Sequence, residues 1–265
     1  MKTNQSQKNI PNEIKETYLI NEIMADLGFY TEPTLLKKEY SSFLDVKSAN
    51  IEEIKKYQGL LSNINYAWQK VLKYEKYFEV FYVPTEIENF EALNHHLHAY
   101  LQDIDTLKNK INVFFNCLKK DLKGVASNKE EVCASIDAGI EKTYEVFEGI
   151  LKYRHSHVHS GMRFMDGDLL KVENAHNTLN MVLNPIFDSM LNLKNKQEFV
   201  EKFEKEKIES FETAKNHWII MTQKNSPQVT GYLMSILEIV RPSLYQFLKI
   251  KSVKEAIEES KKNEN

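Results

Sequence analysis

The chain has 265 residues, enough to bury a substantial apolar core, and with 42% hydrophobic and 28% charged residues it is too apolar for an intrinsically disordered protein. Its 35 basic and 38 acidic side chains leave a net charge of −3, which excludes a global field drawing it to nucleic acid or to an anionic membrane. Any bound anion must therefore be held by a local patch. Cys117 and Cys133 cannot make a disulfide framework and point to a reducing, cytoplasmic setting. Met1 to Pro11 is polar, without an apolar leader, and no run approaches the roughly 18 apolar residues of a membrane span.

Only eight Gly and six Pro, with long stretches lacking either, predict an all-α fold. The expected architecture is a helical bundle with long antiparallel helices and additional N- and C-terminal helices. Ile54, Tyr57, Leu61, Ile64, Trp68 and Val71 advance by steps of three and four, as one stripe of a helix starting near Asn50. Thr85-Glu86-Ile87-Glu88 has capping-box spacing, and Phe90, Leu93, Leu97, Leu101, Ile104, Ile111, Phe115 and Leu118 extend an apolar face toward a stop at Gly124. Ser127 to Glu130 repeats that spacing before Ile136, Ile140, Tyr144, Phe147, Leu151 and Val158, a third stripe ending near Gly161.

Asp166-Gly167-Asp168 supplies a turn and cap for a fourth helix with Leu169, Leu170, Val172, Leu179 and Val182, broken near Pro185. Beyond Asn195 an amphipathic helix carries Phe199, Phe203, Ile208, Phe211 and Trp218. Ser226-Pro227 is expected to open another helix, Pro242 to kink or split it, and Ser252 to Glu255 to cap a last short one. These elements divide into an N-terminal helical extension at 1–85, a helical core at 86–193 and a C-terminal extension at 194–265, or form one continuous domain.

The segment Lys152 to Gly161 concentrates unusual chemistry. It holds Arg154, one of three arginines in the chain, and three of the eight histidines, His155, His157 and His159. Stepping about 100° per residue from Phe147 puts position 154 about 20° away, within the apolar stripe. A guanidinium there needs an anionic partner or a wet cleft, because it does not deprotonate and is costly to bury unpaired. Asp103, Asp166 and Asp168 are the candidate partners for a purely structural ion pair. His155 and His159 lie on one flank of position 154 and His157 on the other. Basic side chains in a last helical turn also complement the helix dipole, which accounts for one histidine without catalysis.

A cation to hold phosphate and an imidazole to move a proton are what metal-independent phosphodiester chemistry needs, and RNA supplies its own 2′-OH nucleophile. Positions 154 and 159 are about 140° apart on an ideal helix, so both reach one phosphate only over the helix end or across a two-fold dimer. The pattern of Arg154, the polar His155 and then His159, near the end of a helix in an all-α chain, resembles the R-x4-6-H motif of the HEPN superfamily. That resemblance takes in about residues 86 to 193. It implies a homodimeric ribonuclease of toxin or antiviral-defence type, without cofactor, with Arg154 and His159 as the catalytic pair and His155 beside them. An antitoxin or regulatory protein is then an expected partner besides RNA. A non-catalytic RNA-binding or protein-interaction module with the same fold is the alternative.

His95, His96 and His98 form a second cluster, and His96, His98 and His157 are the expected substrate-binding positions. A histidine metal site is a weaker reading, since the helical-bundle carboxylate pattern wants an E-x-x-H pair on each of two helices and only Glu173 with His176 is present. Asp103 and Asp105 are further candidates to orient an imidazole. Cys117 and Cys133 are expected as small core residues.

Overall fold

Ile20, Ile23, Leu27 and Tyr30 follow one another by three, four and three residues, and all four are buried on one side of helix α1, Leu19–Thr31. This helix adds to those expected from the sequence. The computed structural model describes residues 18–36, 44–80, 88–125, 129–160, 166–188 and 196–263; of 153–160 it describes the backbone alone. The expected capping boxes at Thr85 and Ser127 and the expected stop at Gly161 lie outside the described residues.

Asn50 caps α2, Ile51–Leu72, accepting the Glu53 amide at 3.5 Å, and all six residues of its expected stripe are buried. Helix α3, Tyr74–Val80, follows at once. The two longest neighbours come next: α4, Asn89–Val125, and α5, Lys129–Ser160. Asp166 caps α6, Gly167–Leu183, by accepting the Asp168 and Leu169 amides, and the one-turn α7, Pro185–Asp188, begins at the proline expected to break it. Helix α8, Lys196–Leu248, precedes α9, Val253–Asn263. Ser252 and Glu255 form a reciprocal capping box at the start of α9, with Ser252 N to Glu255 Oε2 at 2.8 Å and Glu255 N to Ser252 Oγ at 3.2 Å. The described residues hold helices and turns with no strand, so the fold is all-α.

Several sequence expectations are corrected. Pro227 and Pro242 neither open nor split a helix; both lie inside α8. Each costs about 3 kcal/mol in a helix interior, but Trp218, Val229, Leu233, Leu237, Val240 and Leu244 keep one buried face running past both. Tyr144 is 53% exposed, and Thr143 takes the inward place instead, hydrogen-bonded to Tyr232 and Gly139 O. Leu170 and Ile208 also face solvent, and Gly124 lies inside the last turn of α4. Cys117 and Cys133 are free thiols, half-buried rather than core.

One hydrophobic cluster links Ile20 of α1 to Ala256 of α9, with α4 packed against both α2 and α5. Lys56 and Tyr57 meet Asp121, whereas Lys70 and Tyr74 meet Asp103, so α2 and α4 run antiparallel. Burial tends to raise the Asp121 pKa, but the hydrogen bonds from Lys56 and Tyr57 outweigh it and hold the carboxyl below its ordinary value. The stabilisation from Asp121 is therefore complete above the unfolded pKa of about 4 and is lost as pH falls through the lower native value. Asp121→Asn should flatten the acid limb of a stability-against-pH curve below about pH 4; an unchanged limb would disprove this assignment. Among the described residues no helix is long and apolar enough to cross a membrane.

Candidate functional site

The α4/α5 seam fixes where the Arg/His segment stands. Lys119 pairs with Asp137, the Phe115 ring abuts Gly139, and the Lys108 ammonium lies 5.7 Å from the centre of the Tyr144 ring. Numbers fall along α4 as they rise along α5, so the helices are antiparallel. A Cβ on Gly139 would come within 3.0 Å of Phe115 Cζ, so the glycine permits the close approach. Gly139→Leu should cost about 1–3 kcal/mol through overpacking, read as a lowered midpoint in chemical denaturation; a wild-type midpoint would show that the seam does not need it.

The α4 side of the seam is polar. Stepping back from Lys119 by four and three alternately gives Phe115, Asn112, Lys108, Asp105, Leu101, His98 and Asn94, one straight stripe facing α5. Asn94, Asp105 and Asn112 are buried on it, and Asp105 holds Lys108 at 2.8 Å. Continuing the register brings the backbone of 154–158 level with His98 and Asn94. The second histidine cluster and the Arg/His segment thus stand at one end of one helix pair.

Arg154, His155, His157 and His159 fall in the last turns of α5, and Phe147, Ile150 and Leu151 before them are buried as the expected stripe requires. The side chains of these four lie outside the described residues. His96 and His98 are half-buried and His95 is exposed. The His96 ring stacks at 6.4 Å on Tyr77, and burial, then the neighbouring His95, holds its pKa below the usual imidazole value. His96 is accordingly poorly suited to act as a cation toward phosphate. The stability that neutral His96 contributes is therefore complete above the unfolded imidazole value of about 6.5 and is lost as pH falls through the lower native value.

Each carboxylate considered as a structural partner for Arg154 has other partners. Asp103 sits on the opposite side of α4 from the α5-facing stripe and accepts Lys70 Nζ at 2.9 Å and Tyr74 OH at 2.6 Å. Asp166 caps α6 and accepts Trp218 Nε1 at 3.2 Å. Asp168 accepts Lys171 at 2.8 Å.

A separate open cleft of about 530 Å³ lies among the start of α4, α6 and the first half of α8. Lys207 donates to Glu88 at 2.7 Å and to His176 Nδ1 at 3.2 Å, while the Asn180 amide meets His176 Nε2 at 2.9 Å. Among the described residues no group of three or more His, Cys, Asp or Glu side chains is arranged to hold a metal ion. His176 thus meets Glu88 just before α4, Asn180 of its own helix and Lys207 of α8, although its spacing from Glu173 suggested a ligand pair. The polar stripe with Asn94 was not expected from the sequence, because the apolar period of α4, which shares Leu101 and Phe115 with it, draws attention to the neighbouring apolar positions; reading back from Lys119 in steps of four and three would have found it. No protein-family model matches the chain, nor does any curated protein or solved structure.

Proposed function

We propose that the protein is a metal-independent endoribonuclease of toxin or defence type, similar to the HEPN superfamily, whose centre is the end of α5. The observation that supports this most is that the antiparallel pairing of α4 and α5 brings the helix turns carrying Arg154 and three histidines level with the second histidine cluster, at one end of the pair. A cation whose helical position falls in an apolar stripe suits a bound phosphate.

In this reading Arg154 clamps the scissile phosphate and spreads the charge that develops on it. His159 takes the proton from the ribose 2′-OH as that oxygen attacks phosphorus. The bond from phosphorus to the 5′ oxygen breaks, the leaving oxygen gains a proton, and the products carry a 2′,3′-cyclic phosphate and a 5′-OH. A homodimer joining two such helix ends supplies one imidazole as base and one as acid and meets the angular demand on Arg154 and His159. His155 supports the pair, and His157, His96 and His98 border the RNA path. An antitoxin or regulatory protein would cover this end.

The test is incubation of the purified protein with a mixed RNA pool in EDTA beside Arg154→Ala and His159→Ala. Cleavage by wild type alone supports the proposal. Absence of cleavage over varied RNAs favours a non-catalytic RNA-binding or protein-interaction module, and cleavage abolished by EDTA points to metal.

A further inference from the structure

We propose that one exposed stripe on α2 and α3, formed by Tyr66, Lys70, Lys73 and Tyr77 and continued by the His96 ring of α4, is a stacking platform for single-stranded RNA. The four residues follow one another by four, three and four, the spacing of one helix side. Lys73, between the two helices, keeps a right-handed helical backbone and accepts the Tyr77 amide at 3.1 Å, so the register carries over.

Tyr66 is 69% exposed and packs into no part of the core. Lys73 is exposed as well, and the side chain of Lys70 is about half exposed while Asp103 beneath holds its ammonium at 2.9 Å. Both tyrosines act electrostatically on that ammonium, which sets the cation between the two rings. Toward the start of α2, Gly59, Ser62 and Asn63 continue the stripe without charge, so no carboxylate stands on it from 59 to 77. At the other end the His96 ring stacks on Tyr77 at 6.4 Å. Held neutral by burial, His96 adds a ring face rather than a charge.

Aromatic rings interleaved with cations are what an unpaired strand needs, because every base has a face to stack and the phosphates between bases meet the positive charges. Tyr66 and Tyr77 are about 16 Å apart along the helix axis, so a strand stacked on both carries its intervening phosphates past Lys70 and Lys73. With a net charge of −3 the chain must hold an anion by a local patch, and this stripe is one. His96 leads from it to the second histidine cluster and so to the end of α5. The platform rests on the proposed function only in taking RNA as the strand.

Fluorescence anisotropy of the full chain at low salt tests it, with a labelled 2′-O-methyl oligouridine, which cannot be cut through its 2′ oxygen, beside the same backbone made abasic. Wild type should bind the oligouridine more tightly than the abasic strand. Tyr66→Ala should weaken oligouridine binding about 5- to 100-fold, the loss of one base stack, and leave abasic binding unchanged. Tyr66→Phe keeps the ring and should bind as wild type does. Lys73→Ala should weaken both probes and reduce the slope of log affinity against log salt by about 0.7. Tyr144→Ala, which removes a 53% exposed tyrosine from α5, should change nothing.

Wild-type affinity in Tyr66→Ala overturns the proposal, and so does an equal loss in Tyr144→Ala. No binding of either probe by wild type overturns it too and gives the stripe to a protein partner. Cleavage of unmodified RNA is scored separately. Binding that depends on Tyr66, in a protein that cuts no RNA, would sink the nuclease reading and leave the platform standing; cleavage by a protein whose binding ignores Tyr66 would do the reverse.

Discussion

Arg154→Ala is expected to lower RNA cleavage in EDTA by about 100- to 1000-fold, the loss that follows removal of one group stabilising developing charge. The main effect should fall on kcat, because the guanidinium is asked to hold the phosphate more tightly as charge builds on it. Arg154→Lys should recover only part of the rate, since an ammonium keeps the charge but not the fork that binds two phosphate oxygens together. His159→Ala should cost a comparable factor, about 100-fold or more. The double variant should be little worse than either single one, because clamp and base act on one event. Near-normal cleavage by Arg154→Ala, with its helix content intact, would remove Arg154 from the chemistry.

The largest stability effect is expected far from that end, at Asp26. This carboxylate is 6% exposed on α1 and joins three helices. Its Oδ2 accepts Arg241 Nη2 at 3.1 Å and Tyr245 OH at 2.5 Å, both from α8, and its Oδ1 accepts the Val253 amide at 2.9 Å where α9 begins. Burial first, and then the adjacent Asp26 charge, pushes the Tyr245 hydroxyl pKa well up, so it stays protonated as a donor. Asp26→Ala strips the acceptor from all three donors. The expected cost is about 3 kcal/mol, the lower end for breaking a buried pair because Arg241 is about a quarter exposed. For a chain of this size that lowers Tm by roughly 6–12 °C. Asp26→Asn keeps an acceptor without the charge and should lose less. Thermal unfolding of both variants is the check, and a Tm for Asp26→Ala within about 1 °C of wild type would contradict this account of the junction.

The arginines show how far the sequence could be read. Their rarity suggested that each has a task, and Arg241 has a structural one, with Asp26 at 3.1 Å and its guanidinium carbon 5.0 Å from the centre of the Tyr245 ring. Nothing near Arg241 in sequence announced Asp26, because the pair spans nearly the whole chain. The apolar stripes of α2 and α4 were fully legible, since hydrophobic burial is periodic along a single helix and needs no knowledge of neighbours. The prolines of α8 misled because local backbone preference was outweighed by the long buried face on either side. Thr143 lost its place to Tyr144 in the sequence reading because a hydroxyl looks polar until Tyr232 is brought to it by the fold. The same holds for Asn94. A polar residue inside a helix reads as surface, and only the pairing of α4 with α5 turns it inward, level with the Arg/His segment.

The most direct test of the nuclease account is the chemistry of the cut end. RNA fragments produced in EDTA should carry a 2′,3′-cyclic phosphate and a 5′-OH, and replacing the scissile ribose by 2′-deoxyribose should stop cleavage at that position. A 3′-OH with a 5′-phosphate, or undiminished cleavage at the deoxy position, would contradict attack by the 2′-OH and with it the roles given to Arg154 and His159.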